Sequence, residues 1–187
     1  VLEINAKEGW ARVQAGVVKD ALNDALRPHG FFFSPDLSTS NRATVGGMVN
    51  TDASGAGSLV YGKTSDHVLG LTSVLIDGSV LTTTPIDHDK VDQHPFAANQ
   101  LGNAIASQVA ALCLQKRDTI IERFPKLNRF LTGYDLKHVW NDDLSQFDLS
   151  RILAGSEGTL AVITETKLNL TPLPKTRMMV NIKYDSF

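Results

Sequence analysis

The chain has 187 residues, which is enough to bury one sizeable hydrophobic core and lies within the usual range of a single domain. Its formal net charge of −2 gives no bulk electrostatic attraction to nucleic acid. The lone cysteine, Cys113, excludes a disulfide or a cysteine-held metal cluster within the chain and favours a reducing compartment. No apolar run is long enough to span a bilayer, and the sequence does not start with a basic-then-apolar signal, so we expect a soluble, cytoplasmic protein.

The first third of the chain predicts a hairpin, a helix and a loop system. Residues 1–5 and 10–17 are strand-like and flank a short polar turn, while 18–26 carry apolar residues at helical spacing. Three consecutive phenylalanines, 31–33, are compatible with a buried strand or an aromatic plug. Because the chain starts with Val1 inside a strand-like run, we expect it to be part of a longer protein.

The remainder predicts two strand pairs separated by a long helix. Residues 68–76 and 80–83 are strand-like and flank Asp77-Gly78, which predicts a hairpin with a type I′ turn. Residues 85–96 are polar and indicate a solvated connector. Apolar residues recur at helical spacing from 96 towards 117, and Pro125 must end that helix. Residues 151–170 contain an apolar run at 160–163 and an alternating run at 167–170, which are predicted as strands. The predicted fold class is therefore α+β with a mostly antiparallel sheet flanked by helices.

A glycine-rich stretch between residues 34 and 62 contains the first candidate site. Thr44 can cap a short helix whose first turn holds Gly46 and Gly47. A helix end of this kind offers unpaired N–H groups to a diphosphate, and paired glycines let an anion approach the backbone. A tight turn or close helix packing explains the same residues without a ligand.

A second candidate site lies at residues 155–164. A turn flanked by Gly155 and Gly158 leads into an apolar strand, which could present backbone N–H and C=O groups to a flat polar ring such as a flavin. An ordinary loop before a buried strand is the alternative. No general base can be assigned, because the five histidines are scattered, and Asp66 is interpreted as a loop or cap residue. No metal site is predicted, and the catalytic residues stay unknown.

Six segments, in this order, resemble one family: 35–38, 44–47, 61–62, 76–78, 133–136 and 155–160. The family is that of the FAD-linked oxidases with a vanillyl-alcohol-oxidase (PCMH) type of FAD-binding domain. Within this family, the order and the residues of the six segments are similar to those of the D-2-hydroxyacid dehydrogenases that act on D-lactate, glycolate or D-2-hydroxyglutarate. The finer resemblance is to large bacterial members that carry a C-terminal iron–sulfur region.

The resemblance implies that residues 1–187 are a partial FAD-binding domain, its second and larger subdomain. An upstream subdomain with another diphosphate loop and a downstream substrate domain would complete the protein. The parent enzyme would oxidise a small D-2-hydroxy acid to the 2-oxo acid, with the flavin taking the hydride, while the chain alone would be inactive. Alternatives are another reaction on the same FAD domain, such as alcohol oxidation or enolpyruvyl sugar nucleotide reduction, and a nucleotide-binding module without redox chemistry.

The resemblance also implies which residues contact FAD. The diphosphate and adenosine side would be lined by residues in the loop system, the ribityl chain and ring by the later turn and strand, and Tyr61 would close the loop. The family commonly has Asn-Ala-Gly-Gly where this chain has residues 52–55, so an acidic Asp52 beside a diphosphate would be repulsive unless it is turned away or bonded to donors. The implied residues are Pro35, Asp36, Leu37, Ser38, Thr44, Val45, Gly46, Gly47, Thr51, Asp52, Gly55, Tyr61, Glu157, Gly158, Thr159 and Ile163.

Overall fold

A five-stranded antiparallel sheet forms the centre of the computed structural model, which describes residues 1–98, 100–127, 133–176 and 178–186. The strand order is β1-β2-β8-β4-β5, and two short strand pairs, β3 with β9 and β6 with β7, lie beside it. The strands are β1 (Glu3–Asn5), β2 (Trp10–Gln14), β3 (Phe31–Phe32), β4 (Val68–Val74), β5 (Val80–Thr83), β6 (Ile86–Asp87), β7 (Gln146–Phe147), β8 (Val162–Asn169) and β9 (Thr171–Pro172). The α+β class with an antiparallel sheet is therefore confirmed.

Six α-helices in the described ranges accompany the sheet. They are α1 (Lys19–Leu26), α2 (Val45–Asn50), α3 (Ser58–Tyr61), α4 (Gln100–Gln115), α5 (Arg117–Arg123) and α6 (Ser150–Leu153). Short 3₁₀ turns occupy Arg27–His29, Thr64–His67 and His88–Gln93. The predicted first hairpin, the helix that follows it and the short helix after Thr44 are all confirmed, and Phe31 and Phe32 form a strand while Phe33 is fully buried.

Strand β8 is the organising element of the sheet because it pairs with β2 on one side and β4 on the other. Its buried residues are Ile163, Thr166 and Leu168, and the three-residue step between the first two coincides with an irregularity in the pairing with β4, where Glu165 pairs with Thr72 and Ile163 with Ser73. A strand with neighbours on both sides has its backbone groups satisfied along its length. The turn that precedes β8 is therefore anchored to the most constrained part of the fold.

The long predicted helix is two helices, and its buried face differs from the apolar stripe that predicted it. The buried residues of α4 are Gly102, Ala106, Ala110 and Cys113, whereas Leu112 is 50% exposed. Small side chains allow the helix to approach its neighbours closely. A Cβ on Gly102 would lie 2.4 Å from the Cβ of Ala97, and the Trp140 indole donates to the Ala110 carbonyl at 3.1 Å. The helix ends before Pro125, as expected, with an additional break at Lys116.

One further expectation needs correction. The connector at residues 85–96 contains β6 and a 3₁₀ turn with buried Ile86 and Val91, because these apolar side chains enter the core between polar neighbours. The short helix α6, Ser150–Leu153, was not predicted from the sequence. There the Ser150 N–H donates to the Asp148 carboxylate at 2.9 Å, which satisfies one group at the helix start.

The hairpin between β4 and β5 is confirmed, but its type I′ turn is wrong. Only Gly78 of the pair has a positive φ, of 83°, while Asp77 does not. Leu75 N–H donates to Ser79 O and Gly78 N–H donates to Leu75 O, both at 2.9 Å. This is a three-residue loop that ends in a left-handed glycine, and the Asp77 carboxylate accepts from Ser79 N–H at 2.9 Å instead of requiring its own positive φ.

We expect Gly78→Ala to lower the free energy of unfolding by about 1–2 kcal/mol, because alanine is strained at positive φ even where space is free. Gly16→Ala is the matched control, since a Cβ on Gly16 would also meet nothing within 4 Å but its φ is not positive. Urea unfolding followed by circular dichroism measures both. Equal stability of the two variants would contradict the strain at residue 78.

Candidate functional site

An open pocket of about 360 Å³ lies where α2 faces the start of β8. We call it the glycine pocket, because four of its ten lining residues are glycines. Two segments that are far apart in sequence contribute to it, the loop system of residues 34–62 and the segment before and within β8. The lining residues are Ala15, Gly16, Thr44, Gly46, Gly47, Asn50, Gly158, Ala161, Val162 and Ile163.

Backbone hydrogen bonds hold the two segments of the glycine pocket together. Gly155 N–H donates to Val49 O at 2.9 Å, and Glu157 N–H donates to Asn50 O at 2.8 Å. The turn takes this path because Gly155, Glu157 and Gly158 all have positive φ. The last carbonyls of α2 thus receive donors from the turn before β8, which satisfies groups that a helix end leaves open. The two candidate segments identified from the sequence therefore lie next to each other and line one pocket.

The start of α2 does not offer the free donors that the sequence suggested. Val45 N–H donates to Val17 O and Gly46 N–H donates to Ala15 O, both at 2.8 Å. Gly47 N–H donates to the Thr44 hydroxyl at 3.3 Å, which confirms Thr44 as the helix cap. The first-turn N–H groups are therefore engaged with the end of β2 and with the cap. An anion at this helix end would have to displace the capping hydroxyl.

The two adjacent glycines of α2 have different roles. A Cβ on Gly46 would lie 2.6 Å from the Cβ of Ala15, so the absence of a side chain lets the helix dock on the sheet. A Cβ on Gly47 would meet only the Thr44 hydroxyl, at 3.1 Å, and Gly47 is exposed in the pocket. Gly46 is thus a packing residue at the pocket floor, and Gly47 leaves the pocket open.

The pocket surface combines flat apolar contacts with polar groups that lack protein partners. The Asn50 side-chain Oδ1 is buried and accepts no hydrogen bond from the described residues. The backbone N–H groups of Gly158 and Ala161 donate to no other residue in the described part of the chain. Ala161 and Ile163 provide an apolar wall beside these groups. The arrangement suits a flat ligand with a polar edge.

Two residues of the glycine pocket, Ala15 and Gly16, lie outside both candidate segments, and Asn50 lies within the first segment but was not assigned a contact. Gly16 follows β2 directly, and a Cβ there would meet nothing within 4 Å. The glycine at the end of a predicted strand was a usable signal. Asn50 carried no signal of its own, because its position depends on the turn that binds the end of α2.

Other implied residues lie in a second depression, the serine groove. Asp36, Leu37 and Ser38 line it together with Gly55. A Cβ on Gly55 would lie 1.4 Å from the Asp36 carbonyl oxygen, so only glycine allows the two loops to touch. The groove and the glycine pocket share no lining residue.

The rest of the implied residues line neither depression. Pro35 is buried, and Val45 belongs to the core. The Thr51 hydroxyl donates back to Gly47 O at 3.0 Å. The Thr159 hydroxyl donates to Ser156 O at 2.6 Å, with the Tyr134 hydroxyl 2.9 Å away. Tyr61 lines a third pocket with Asp36.

Asp52 is bonded to donors on the far side of the loop. It is buried, has a φ of 45°, and forms an ion pair with the equally buried Lys63. Its carboxylate also accepts from Ser65 N–H at 2.8 Å and from the Ser65 hydroxyl at 3.1 Å. A carboxylate with this many donors is neutralised locally. The repulsion expected from an acidic residue at this position is thereby removed, and Asp52 ties the end of α2 to the 3₁₀ turn at residues 64–67.

Asp66 is a cap, as interpreted from the sequence. Its carboxylate accepts from Lys63 N–H at 3.0 Å and pairs with Arg151 at 3.2 Å. Burial alone would raise the pKa of Asp66, but the Lys63 N–H bond and the Arg151 guanidinium outweigh it and hold the pKa below its usual range. The carboxylate therefore stays ionised at neutral pH and links the glycine loop to α6.

Neither a metal cluster nor a membrane-spanning helix is found in the described ranges. No three His, Cys, Asp or Glu side chains there are placed to hold a metal ion, and no helix is long and apolar enough to cross a bilayer.

We expect Asp52→Asn to destabilise the fold by about 3–5 kcal/mol, because it leaves the Lys63 ammonium buried without its counter-charge. The double variant Asp52→Asn/Lys63→Met should recover part of that loss, since it removes the uncompensated charge. Urea unfolding of the two variants and the parent chain gives the comparison. A loss of less than about 1 kcal/mol in the single variant would show that the ion pair contributes little to the free energy of unfolding.

Several known proteins are similar in sequence to all or part of this chain. Residues 1–84 match the family model described as "FAD binding domain". D-2-hydroxyglutarate dehydrogenase of Escherichia coli K12 is 60% identical over 187 residues, which is 100% of this chain and 18% of the relative. The enzyme of the same name from Pantoea ananatis is also 60% identical, with the same coverage. The chain thus spans about a fifth of the length of these relatives.

A solved structure of alkyldihydroxyacetonephosphate synthase shares the fold. Its TM-score is 0.53 at 22% identity, and the match covers 94% of this chain and 22% of that one. At this identity the likeness concerns the fold alone. The part of the chain that matches the FAD binding domain model, residues 1–84, includes β1 to β5, α2 and most of the residues that line the glycine pocket.

Proposed function

We propose that the glycine pocket holds the flavin portion of FAD. The observation that carries the proposal is the meeting of the α2 glycines with the turn before β8 in one open pocket, and it is supported by the match of residues 1–84 to an FAD binding domain model. When bound, FAD supplies the acceptor for the electrons removed from a substrate. The protein's part is to hold, orient and shield it.

The residues present fit this group. Gly16, Gly47 and Gly158 expose backbone without side chains, so a planar ring can approach closely. The Asn50 amide and the free N–H groups of Gly158 and Ala161 match the alternating acceptors and donors on the polar edge of a flavin. Binding would thereby satisfy buried polar groups that otherwise lack partners.

The serine groove is proposed to receive a more polar part of FAD. Ser38 and Thr39 offer hydroxyls there, and Gly55 keeps the loop narrow. Because Val45 and Gly46 have their N–H groups occupied, we assign α2 to ring packing rather than to the diphosphate. We propose that most diphosphate donors come from another part of a longer protein, of which residues 1–187 form part of the FAD-binding domain.

For that longer protein we propose oxidation of a D-2-hydroxy acid, with D-2-hydroxyglutarate as the first substrate to test. Support comes from the D-2-hydroxyglutarate dehydrogenases that are 60% identical to this chain along its whole length. None of the scattered histidines lines the glycine pocket, so the groups that bind and deprotonate the substrate are proposed to lie outside this chain. The chain's own role is to position FAD.

We expect the 187-residue chain to fold and to bind FAD weakly, because the proposed upstream donors are missing. An FAD titration followed by ¹⁵N amide shifts would move the resonances of Gly16, Gly47 and Gly158. FMN, which lacks the adenosine half, should move the same three resonances. Undisturbed pocket amides at millimolar FAD, or shifts confined to another surface, would contradict the proposed site.

The variant Gly47→Val should weaken FAD binding at least tenfold in the same titration, since the branched side chain would fill the pocket. Its stability should change by less than about 1 kcal/mol, because valine is no worse than glycine in a helix. Gly46→Ala is the matched control: its Cβ would clash with Ala15, so it should lose about 1–3 kcal/mol of stability. Unchanged FAD affinity in Gly47→Val would argue against the ring position.

The activity proposal has a separate test on the full-length protein purified with FAD. We expect D-2-hydroxyglutarate to reduce an artificial electron acceptor with a kcat/KM at least tenfold above those for its L enantiomer and for D-lactate. A preference for D-lactate or glycolate would overturn the proposed substrate while leaving FAD binding intact. No reduction by any 2-hydroxy acid would overturn the reaction class.

A further inference from the structure

The turn before β8 has two halves that are held in different ways. Its first half is bound to α2, because Gly155 N–H and Glu157 N–H donate to the last carbonyls of that helix. The second half, residues 158–161, makes no backbone hydrogen bond to another element in the part of the chain that the structure describes. It carries the N–H groups of Gly158 and Ala161 that are assigned to the polar edge of the flavin. The position of these two donors therefore depends on what holds the second half of the turn.

The conformation of the turn is strained and needs an anchor. Gly155, Glu157 and Gly158 all have positive φ, and for Glu157 this left-handed conformation is unfavourable because the residue has a Cβ. Backbone in a sparsely populated conformation persists only where its surroundings over-determine it. Among the described residues, the second half adds a single backbone bond, from Thr159 N–H back to Ser156 O at 3.0 Å.

A relay of side-chain hydroxyls supplies the anchor from outside the turn. The Thr159 hydroxyl donates to Ser156 O at 2.6 Å, beside the bond from its own N–H to the same carbonyl. A threonine hydroxyl has one hydrogen, so its contact with the Tyr134 hydroxyl, 2.9 Å away, is a bond that Tyr134 donates. The relay therefore runs from Tyr134 to Thr159 to Ser156, and it closes the turn around Gly158.

Tyr134 can serve as an anchor because its own segment is fixed. The carboxylate of Asp135, which is buried, accepts from His138 N–H at 3.2 Å and lies 2.7 Å from His138 Nδ1. Leu136 N–H donates to Tyr134 O at 2.9 Å, and the Leu136 side chain packs against the core. Tyr134 itself is 43% exposed, so the bond of its hydroxyl, more than the burial of its ring, connects it to the turn.

We propose that Tyr134 is a positioning residue of the flavin site, which acts through Thr159 on the N–H groups of Gly158 and Ala161. This role rests on the proposed flavin site. Tyr134 lines neither the glycine pocket nor the serine groove, so its effect is exerted through the turn. Fixed donors stabilise the electron-rich reduced ring more than the oxidised ring, because charge develops at the edge that they face. Loss of the relay should therefore weaken the binding of reduced flavin most.

The test compares oxidised and reduced FMN in ¹⁵N amide titrations of the unmodified chain and of Tyr134→Phe, with the reduced form kept under anaerobic conditions. We expect Tyr134→Phe to bind oxidised FMN about threefold and reduced FMN at least tenfold more weakly. A merely structural loss would weaken both forms by the same factor. Tyr184→Phe is the matched control and should change neither affinity, since Tyr184 is 78% exposed and its hydroxyl makes no hydrogen bond within the described ranges.

Variants of Thr159 test the relay itself. Thr159→Val should lose as much affinity for reduced FMN as Tyr134→Phe, and Thr159→Ser, which keeps the hydroxyl, should restore most of that loss. The double variant Tyr134→Phe/Thr159→Val should bind no more weakly than Thr159→Val alone, because both changes break the same chain of bonds. In the ligand-free chain, hydrogen exchange of the Thr159 amide should be at least threefold faster in Tyr134→Phe, with the amides in the middle of β8 unchanged.

The outcomes separate this role from the flavin site on which it rests. Parent-like binding of both FMN forms by Tyr134→Phe, equal weakening of the two forms, additive losses in the double variant or unchanged exchange of the Thr159 amide would overturn the role of Tyr134 and leave the flavin site in place. If neither form of FMN moved the glycine pocket amides of the unmodified chain, the flavin site would be wrong, and the role of Tyr134 with it.

Discussion

The contact between Gly46 and Ala15 determines how the rest of the site is arranged. Because neither residue has a bulky side chain, α2 lies directly on the end of β2, and the Val45 and Gly46 N–H groups reach the carbonyls of Val17 and Ala15. Those bonds fix the rotation of the helix. Its next residue, Gly47, then faces the open pocket, and its last carbonyls face the turn before β8.

The same contact changes the chemistry expected of a glycine pair at a helix start. Free N–H groups at a helix end attract phosphate. Here the N–H groups of Val45 and Gly46 instead donate to the carbonyls of Val17 and Ala15 at the end of β2. What remains in the pocket is backbone without side chains, an apolar wall and the Asn50 amide. Such a surface favours a flat ring over a compact anion, which is why the ring and not the diphosphate is assigned to it.

Local patterns predicted the elements well, because each depends on neighbouring residues. The first hairpin, the Thr44 cap and the strand after Gly158 follow from alternation, capping and turn chemistry. The buried face of α4 could not be predicted in this way. It depends on Ala97, which lies just before the helix and packs on Gly102, and on Trp140, which comes from a later part of the chain and binds the Ala110 carbonyl.

Prediction of the site was limited by the same distinction between local and distant contacts. The two glycine segments could be identified from sequence, but Asn50 enters the pocket only because Glu157 binds its carbonyl.

Asp52 shows why a departure from a family pattern need not change function. An acidic side chain near a diphosphate is unfavourable only if its charge reaches the ligand. Lys63 and Ser65 bind that charge within the loop, so the field toward the pocket is that of a nearly neutral pair. The pair also fixes the loop between α2 and α3 through charge and hydrogen bonds. The contacts on either side of it, at Gly46 and Gly55, depend instead on the absence of a side chain. A protein that replaced Asp52 with asparagine would need a neutral partner at residue 63, because a lysine there would remain buried without a counter-charge.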